Sequence, residues 1–120
     1  QPPAVMYPAY VMQPPAVIHP HYVRGNNLMA AQHHVVLYMK PECHLCEIAR
    51  GWLDDFAADP DRFAPFALDE VDIRHDPAIF AEYRYRIPVI VIDGEIVAEG
   101  RMDDEAEFAL ARALALPGKE

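Results

Sequence analysis

The sequence contains little cysteine and few basic residues, and it has no long apolar run. Only two of its 120 residues are cysteines, which argues against a secreted fold held together by disulfides and favours a reducing compartment, the cytoplasm. With 10 Lys and Arg against 19 Asp and Glu, the formal net charge is −9, which argues against nucleic acid or an anionic membrane as the main partner. No apolar run approaches the length of a membrane-spanning helix.

The first part of the chain differs from the rest in its composition. Residues 1–11 are repeated with few changes at residues 13–23, and prolines are concentrated there. Such closely spaced prolines prevent a helix and favour an extended chain. We therefore predict a flexible Pro-rich arm over residues 1–31, which acts as a linker or as a docking segment for a partner, and one compact domain over residues 32–120.

Hydrophobic periodicity predicts the element order βαβαββα in this domain. In order, the predicted elements are a strand ending before Pro41, a helix at 46–58, a strand at 66–73, a short helix at 77–85, strands at 87–92 and 95–99, and a last helix capped at 103–105. In the second strand, Val71 and Ile73 are expected to point inward and the acidic residues outward. Strands separated by helices imply parallel pairing, and Asp93-Gly94 predicts an antiparallel hairpin. We expect an α/β fold with a four-stranded mixed sheet flanked by helices.

The motif Cys43-His44-Leu45-Cys46 lies where the first strand gives way to the first helix. Free N–H groups and the helix dipole stabilise an anion at a helix N-terminus, so a cysteine there ionises more readily. Lys40 and His44 are possible further sources of positive charge. Cys46, one turn along, is placed to attack a mixed disulfide on Cys43. The pattern predicts that Cys43 is the attacking thiol and Cys46 the resolving thiol.

Two other interpretations of the cysteine pair remain open. A structural disulfide would close a very short loop and would therefore gain little loop entropy. A zinc site would need ligands from His33, His34, His44 or His75, but the sequence has no second Cys-x-x-Cys and no spaced His pair. We expect no metal and favour thiol–disulfide chemistry.

The chain resembles the thioredoxin fold, and within it the glutaredoxins. Two features carry the resemblance: the Cys43-His44-Leu45-Cys46 motif after the first strand, and Tyr83-Arg84-Tyr85-Arg86-Ile87-Pro88-Val89 at the third. Small glutaredoxin-like proteins with a Cys-His-Leu-Cys or similar motif and an Ile-Pro-Val segment are the most similar. Glutaredoxins usually have Pro-Tyr where this chain has His44-Leu45, and only part of their glutathione-binding segment is visible at residues 99–104.

The resemblance implies an oxidoreductase that reduces protein or glutathione mixed disulfides. Pro88 would be a cis-proline facing Cys43, and the backbone of Ile87 would pair with an extended substrate. Lys40 matches a lysine near the glutathione carboxylate. The expected partners are a disulfide-containing protein or glutathione, with no tightly bound cofactor and a monomeric state. The alternatives are an iron–sulfur cluster or metal carrier and a redox-inactive binding module.

Overall fold

The structure, a computed structural model, describes residues 31–117. All but the last residue of the predicted Pro-rich arm therefore lies outside the described residues. In chain order, the elements are β1 (His33–Met39), α1 (His44–Ala57), β2 (Phe66–Asp72), α2 (Pro77–Tyr83), β3 (Val89–Ile92), β4 (Glu95–Glu99) and α3 (Asp104–Leu114). This confirms the predicted βαβαββα order. No helix in this part of the chain is long and apolar enough to cross a membrane.

The four strands form one mixed sheet in the order β2-β1-β3-β4. β1 and β2 are parallel, whereas β3 is antiparallel to both β1 and β4. The expectation of parallel pairing is therefore right for β2 and wrong for β3. The seven residues of α2 span only about 10 Å, whereas β2 spans about 23 Å. The helix does not carry the chain back along the length of β2, so β3 begins at the end of the sheet where β1 and β2 end and is antiparallel to β1.

The two faces of the sheet are covered by different helices. α1 and α3 pack together on one face, where they enclose the core. On the other face, the ring of Tyr38 in β1 contacts the ring of Tyr83 at the end of α2, with centroids 4.6 Å apart. Helices on both faces of a mixed four-stranded sheet in this order make a thioredoxin-like fold, as the sequence predicted.

The inward face of β2 differs from the prediction. Phe66 and Leu68 are buried, while Val71 is only half-buried. Ile73 is fully buried, but it belongs to a single 3-10 turn that follows the strand. Because alternate residues of a strand share a face, Glu70 lies on the same face as Phe66 and Leu68. One acidic residue of β2 is therefore directed toward the α1 side of the sheet instead of outward.

The hairpin between β3 and β4 turns at Asp93-Gly94, as predicted. Both residues have positive φ, 53° for Asp93 and 86° for Gly94. Two consecutive left-handed residues are the geometry of the tight turn that matches the twist of an antiparallel pair. The hairpin places β4 at one edge of the sheet, next to α3.

Candidate active site

A tight connection from β1 to α1 sets the position of Cys43. The chain turns at Pro41 and at Glu42, whose φ of 61° is uncommon for a residue other than glycine. Cys43 then takes the N-cap position of α1 with extended backbone, and its Sγ accepts a hydrogen bond from the N–H of Cys46 at 3.2 Å. Sulfur here fills the place usually taken by a Ser, Thr, Asp or Asn oxygen. An N–H group of the first helical turn is thus directed at the Cys43 sulfur.

Cys43 and Cys46 form a disulfide, with their Cα atoms 5.2 Å apart. The two sulfurs are not equally accessible, because Cys46 is only 4% exposed and Cys43 is half-buried. Cys46 lies in the first turn of α1 and faces inward, whereas Cys43 lies at the end of the helix, toward solvent. An incoming molecule therefore meets Cys43 before Cys46.

The Ile87–Pro88 segment lies at the same end of the sheet as the disulfide, where β1 ends and β3 begins. Tyr38 pairs with Val89, so the antiparallel register places Pro88 beside the last residue of β1, Met39. The Ile87–Pro88 peptide bond is cis, and Pro88 is buried. The N–H of Ile87 donates to the carbonyl of Tyr83 at 3.1 Å, which restricts the pairing that Ile87 could offer to a substrate.

Lys40 and His44 are both exposed, on either side of Cys43. Lys40 directly follows β1, and His44 is the first residue of α1. The structure therefore brings all six predicted site residues to one end of the sheet. Lys40, Cys43, His44 and Cys46 are there because they follow β1 in the chain, and Ile87 and Pro88 because they precede β3, which is paired with β1.

A cleft of about 330 Å³ opens between α1 and β2, behind the disulfide. It is lined by Cys46 and by the charged side chains Lys40, Glu42, Glu47, Arg50, Asp54 and Glu70. We call it the α1–β2 cleft. Within it, Arg50 donates from Nη1 to Glu70 at 2.6 Å and from Nε to Asp54 at 3.1 Å. Burial alone would lower the pKa of Arg50, but attraction to Glu70 and hydrogen bonds to Asp54 and Glu70 outweigh it, so the pKa is raised.

A protein-family profile described as the glutaredoxin-like domain (DUF836) matches residues 34–111. The chain belongs to this family. The match spans nearly all of the described domain and includes all six predicted site residues. No curated protein matches the chain significantly.

Two thioredoxins of known structure are similar to this glutaredoxin-like chain. A single-residue mutant of thioredoxin from Halobacterium salinarum NRC-1 shares 22% sequence identity at a TM-score of 0.49, over 82% of this chain and 92% of that one. Oxidized mitochondrial thioredoxin 3 from Saccharomyces cerevisiae shares 19% identity at a TM-score of 0.46, over 74% of this chain and 82% of that one.

The histidines considered as zinc ligands occupy different places in the glutaredoxin-like domain. His33 and His34 begin β1, at the end of the strand opposite to Cys43. Nδ1 of His33 lies 2.6 Å from Asp93, and Nε2 of His34 lies 2.7 Å from Asp69. The hydrogen bond with Asp69 raises the pKa of His34 against the opposing effect of burial. Within residues 31–117, no group of three or more ligating side chains is arranged to hold a metal ion.

Glu70 and Arg50 are the residues of the α1–β2 cleft that the sequence reasoning missed. The spacing of residues along β2 and α1 indicates both positions. Glu70 continues the inward alternation of Phe66 and Leu68, and Arg50 lies four residues after Cys46, on the same side of α1. Glu70 is missed because the sequence analysis assigns the acidic residues of β2 to the solvent face.

Proposed function

We propose that this glutaredoxin-like domain is a thiol–disulfide oxidoreductase. The observation that carries the proposal is the Cys43–Cys46 disulfide, whose more exposed sulfur caps the N-terminus of α1. A structural cross-link would not need one sulfur in a position that stabilises its thiolate. An attacking thiol does need that position, because the thiolate is the nucleophile in disulfide exchange.

The reaction begins with the reduced pair. The Cys43 thiolate attacks one sulfur of a substrate disulfide, and a mixed disulfide forms as the first substrate thiolate leaves. Cys46 then attacks the Cys43 sulfur, the second substrate thiolate leaves with the electron pair of the broken bond, and the Cys43–Cys46 disulfide forms. Two electrons thus pass to the substrate, and an external thiol restores the reduced pair.

The neighbouring residues are proposed to bind the substrate. Lys40 and His44 offer positive charge beside Cys43, for the thiolate or for a substrate carboxylate. Pro88 shapes the edge of the sheet next to the disulfide, and Ile87 pairs with an extended substrate chain through its carbonyl, since its N–H is bonded to Tyr83. The proposed substrates are protein disulfides or glutathione mixed disulfides, with glutathione as a possible co-substrate. We propose a cytoplasmic monomer that needs no tightly bound cofactor.

The experiment uses the full chain and an aromatic disulfide whose released thiol absorbs light. The wild type should release two thiols per reduced protein, and Cys46→Ser should release one and stop as a mixed disulfide on Cys43. Cys43→Ser should react far more slowly, because the buried Cys46 would have to attack. Trapping of the mixed disulfide on Cys46 instead would reverse the two roles, and no thiol release from the wild type would refute the proposed function.

The electrostatic part of the proposal is tested by thiolate absorbance. We expect a pKa for the Cys43 thiol below the usual value of about 8.5. An exposed charge pair is worth up to about 1 kcal/mol, so Lys40→Ala should raise this pKa by somewhat under about one unit. High salt should shrink the difference. An unchanged pKa at low salt would show that Lys40 has no electrostatic role.

A further inference from the structure

β4 is an outer strand of the sheet, and within residues 31–117 no strand lies beyond it. A strand in this position presents backbone N–H and C=O groups that its neighbour does not use. The same groups form ladder hydrogen bonds when a further strand is added, which is one way in which proteins recognise an extended peptide. The other outer strand, β2, is joined to α1 by the Arg50–Glu70 ion pair, whereas the edge of β4 borders an open groove.

This groove has a volume of about 400 Å³ and lies between β4 and α3. Its lining includes Val97 and Ala98 from β4 and Ala106 and Ala109 from α3, and none of the described residues that line it belongs to β3. The groove therefore lies on the outer side of β4, where the short alanine side chains of α3 leave space. We call it the α3–β4 groove. Side chains of an added strand that point toward α3 would enter it, because alternate residues of a strand share a face.

The opposite face of β4 leaves an apolar side chain uncovered. Ile96 pairs with Val91 of β3, whose neighbours Ile90 and Ile92 belong to the core. Ile96 therefore lies on the face of the sheet away from α3, and it is 46% exposed. A strand beside β4 would cover Ile96 with the residues that do not point into the groove.

The charges around the groove indicate what kind of strand it accepts. Glu99, Asp103 and Glu105 line it, together with a single guanidinium, that of Arg101. Arg101 pairs with Asp103 at 3.0 Å, and Glu99 pairs with Arg86 at 2.9 Å. Within residues 31–117, Glu105 has no cationic partner. The carboxylate of Glu105 is therefore available to a positively charged ligand.

A second copy of this chain fits the edge poorly. An antiparallel pair of β4 strands in full register would bring the glutamate at each end of one strand, Glu95 or Glu99, next to a glutamate of the other. Repulsion between like charges weakens such a pair. Charged residues on an edge strand are a common protection against self-pairing, and they leave the edge open to a strand of opposite charge.

We propose that the free edge of β4 binds an extended basic segment of a partner protein, which joins the sheet as a fifth strand. Lysine or arginine side chains of the segment lie in the α3–β4 groove, with their aliphatic stems over Ala106 and Ala109 and their charged ends at Glu105. Apolar side chains at the alternate positions cover Ile96. Main-chain hydrogen bonds to β4 supply affinity, and the alternation of basic and apolar residues supplies specificity. The inference does not rest on the proposed function.

The probe is a short synthetic peptide of alternating lysine and valine, which contains no cysteine and is added to the full chain with its disulfide oxidised. NMR should show saturable shifts in β4 and in the part of α3 that lines the groove. A peptide with glutamate in place of lysine, and one with its lysines and valines in separate blocks, should each bind at least about fivefold more weakly at about 0.15 M salt. Equal binding of the three peptides, or no shift in β4 up to about 1 mM of the alternating lysine peptide, would overturn the inference.

Glu105→Lys and Glu107→Lys separate the groove from the overall charge of the chain. Both residues lie in the first turn of α3 and both changes alter the net charge equally, but only Glu105 lines the groove. We expect Glu105→Lys to weaken binding of the alternating lysine peptide by at least about fivefold, and Glu107→Lys by less than about twofold. Equal weakening would show that the peptide responds to the net negative charge alone, and would overturn the inference. If the variants fail to fold, the comparison of the three peptides still tests it.

Amide hydrogen exchange distinguishes other occupants of the edge. In the free full chain, the β4 amides that face away from β3 should exchange quickly, and the alternating lysine peptide should slow them. Protection in the free chain at every protein concentration would show that another part of the chain covers the edge. Protection that increases with protein concentration would show that a second copy covers it. Either result would overturn the inference.

Discussion

Replacement of Gly51 by alanine should stabilise the domain, whereas the same replacement at Gly94 should destabilise it. Gly51 lies inside α1 and is exposed, and an added Cβ would meet no heavy atom within 4 Å. Alanine at such a position avoids the entropic cost of a helical glycine, which is worth about 1 kcal/mol. For a domain of this size, that free energy corresponds to a rise of about 4–8 °C in the melting temperature.

Gly94 offers the same free space but a different backbone. An added Cβ there would also meet nothing within 4 Å, but the residue has a φ of 86° in the β3–β4 turn. A left-handed conformation costs an L-residue about 1–2 kcal/mol, so Gly94→Ala should lower the unfolding free energy by that amount. Gly94→Asn should cost less, because asparagine tolerates this conformation better.

The measurement is thermal and urea unfolding of the full chain with the Cys43–Cys46 disulfide kept oxidised throughout. A change of redox state during the transition would invalidate a two-state analysis. The two alanine variants should differ by about 2–3 kcal/mol in unfolding free energy, with the wild type between them. The reasoning would be refuted if Gly94→Ala were as stable as the wild type, or if Gly51→Ala were less stable.

The remaining predictions concern an ion pair and a helix cap. The bond to Asp69 raises the pKa of His34, so its contribution to stability is fully present below the unfolded pKa of about 6.5 and is lost as pH rises through the folded pKa. The stability difference between wild type and His34→Gln should be larger at about pH 5.5 than at about pH 8, and an equal difference would contradict this. The Asp103 carboxylate accepts the N–H of Ala106 at 3.0 Å, so Asp103→Ala should lower the unfolding free energy by about 1 kcal/mol in urea titrations. Asp103→Asn should retain most of that stability, and equal losses in the two variants would rule out a capping role.

Local patterns in the sequence determined the order of helices and strands and the position of the two cysteines of the candidate site. Alternating and helical periodicity predicted the βαβαββα order, because each element must bury one face. The spacing of Cys43 and Cys46 after an apolar strand placed both cysteines at the start of a helix, since proline and the loss of periodicity end the strand there. Asp93-Gly94 predicted the hairpin, because few other residue pairs adopt two left-handed conformations in succession. All of these features depend on neighbours within a few residues.

Tertiary structure decided the direction of β3 and the position of Glu70. The direction of β3 depends on the end of the sheet at which the chain re-enters after α2, and hydrophobic periodicity carries no information about that end. Periodicity divides the residues of β2 into two faces, but it does not tell which face a helix covers when both faces are covered. Glu70 was assigned to solvent because its tolerance for burial comes from Arg50, twenty residues earlier and on another element. A charge that is stabilised only by a distant partner leaves no local signal, so only the folded chain reveals it.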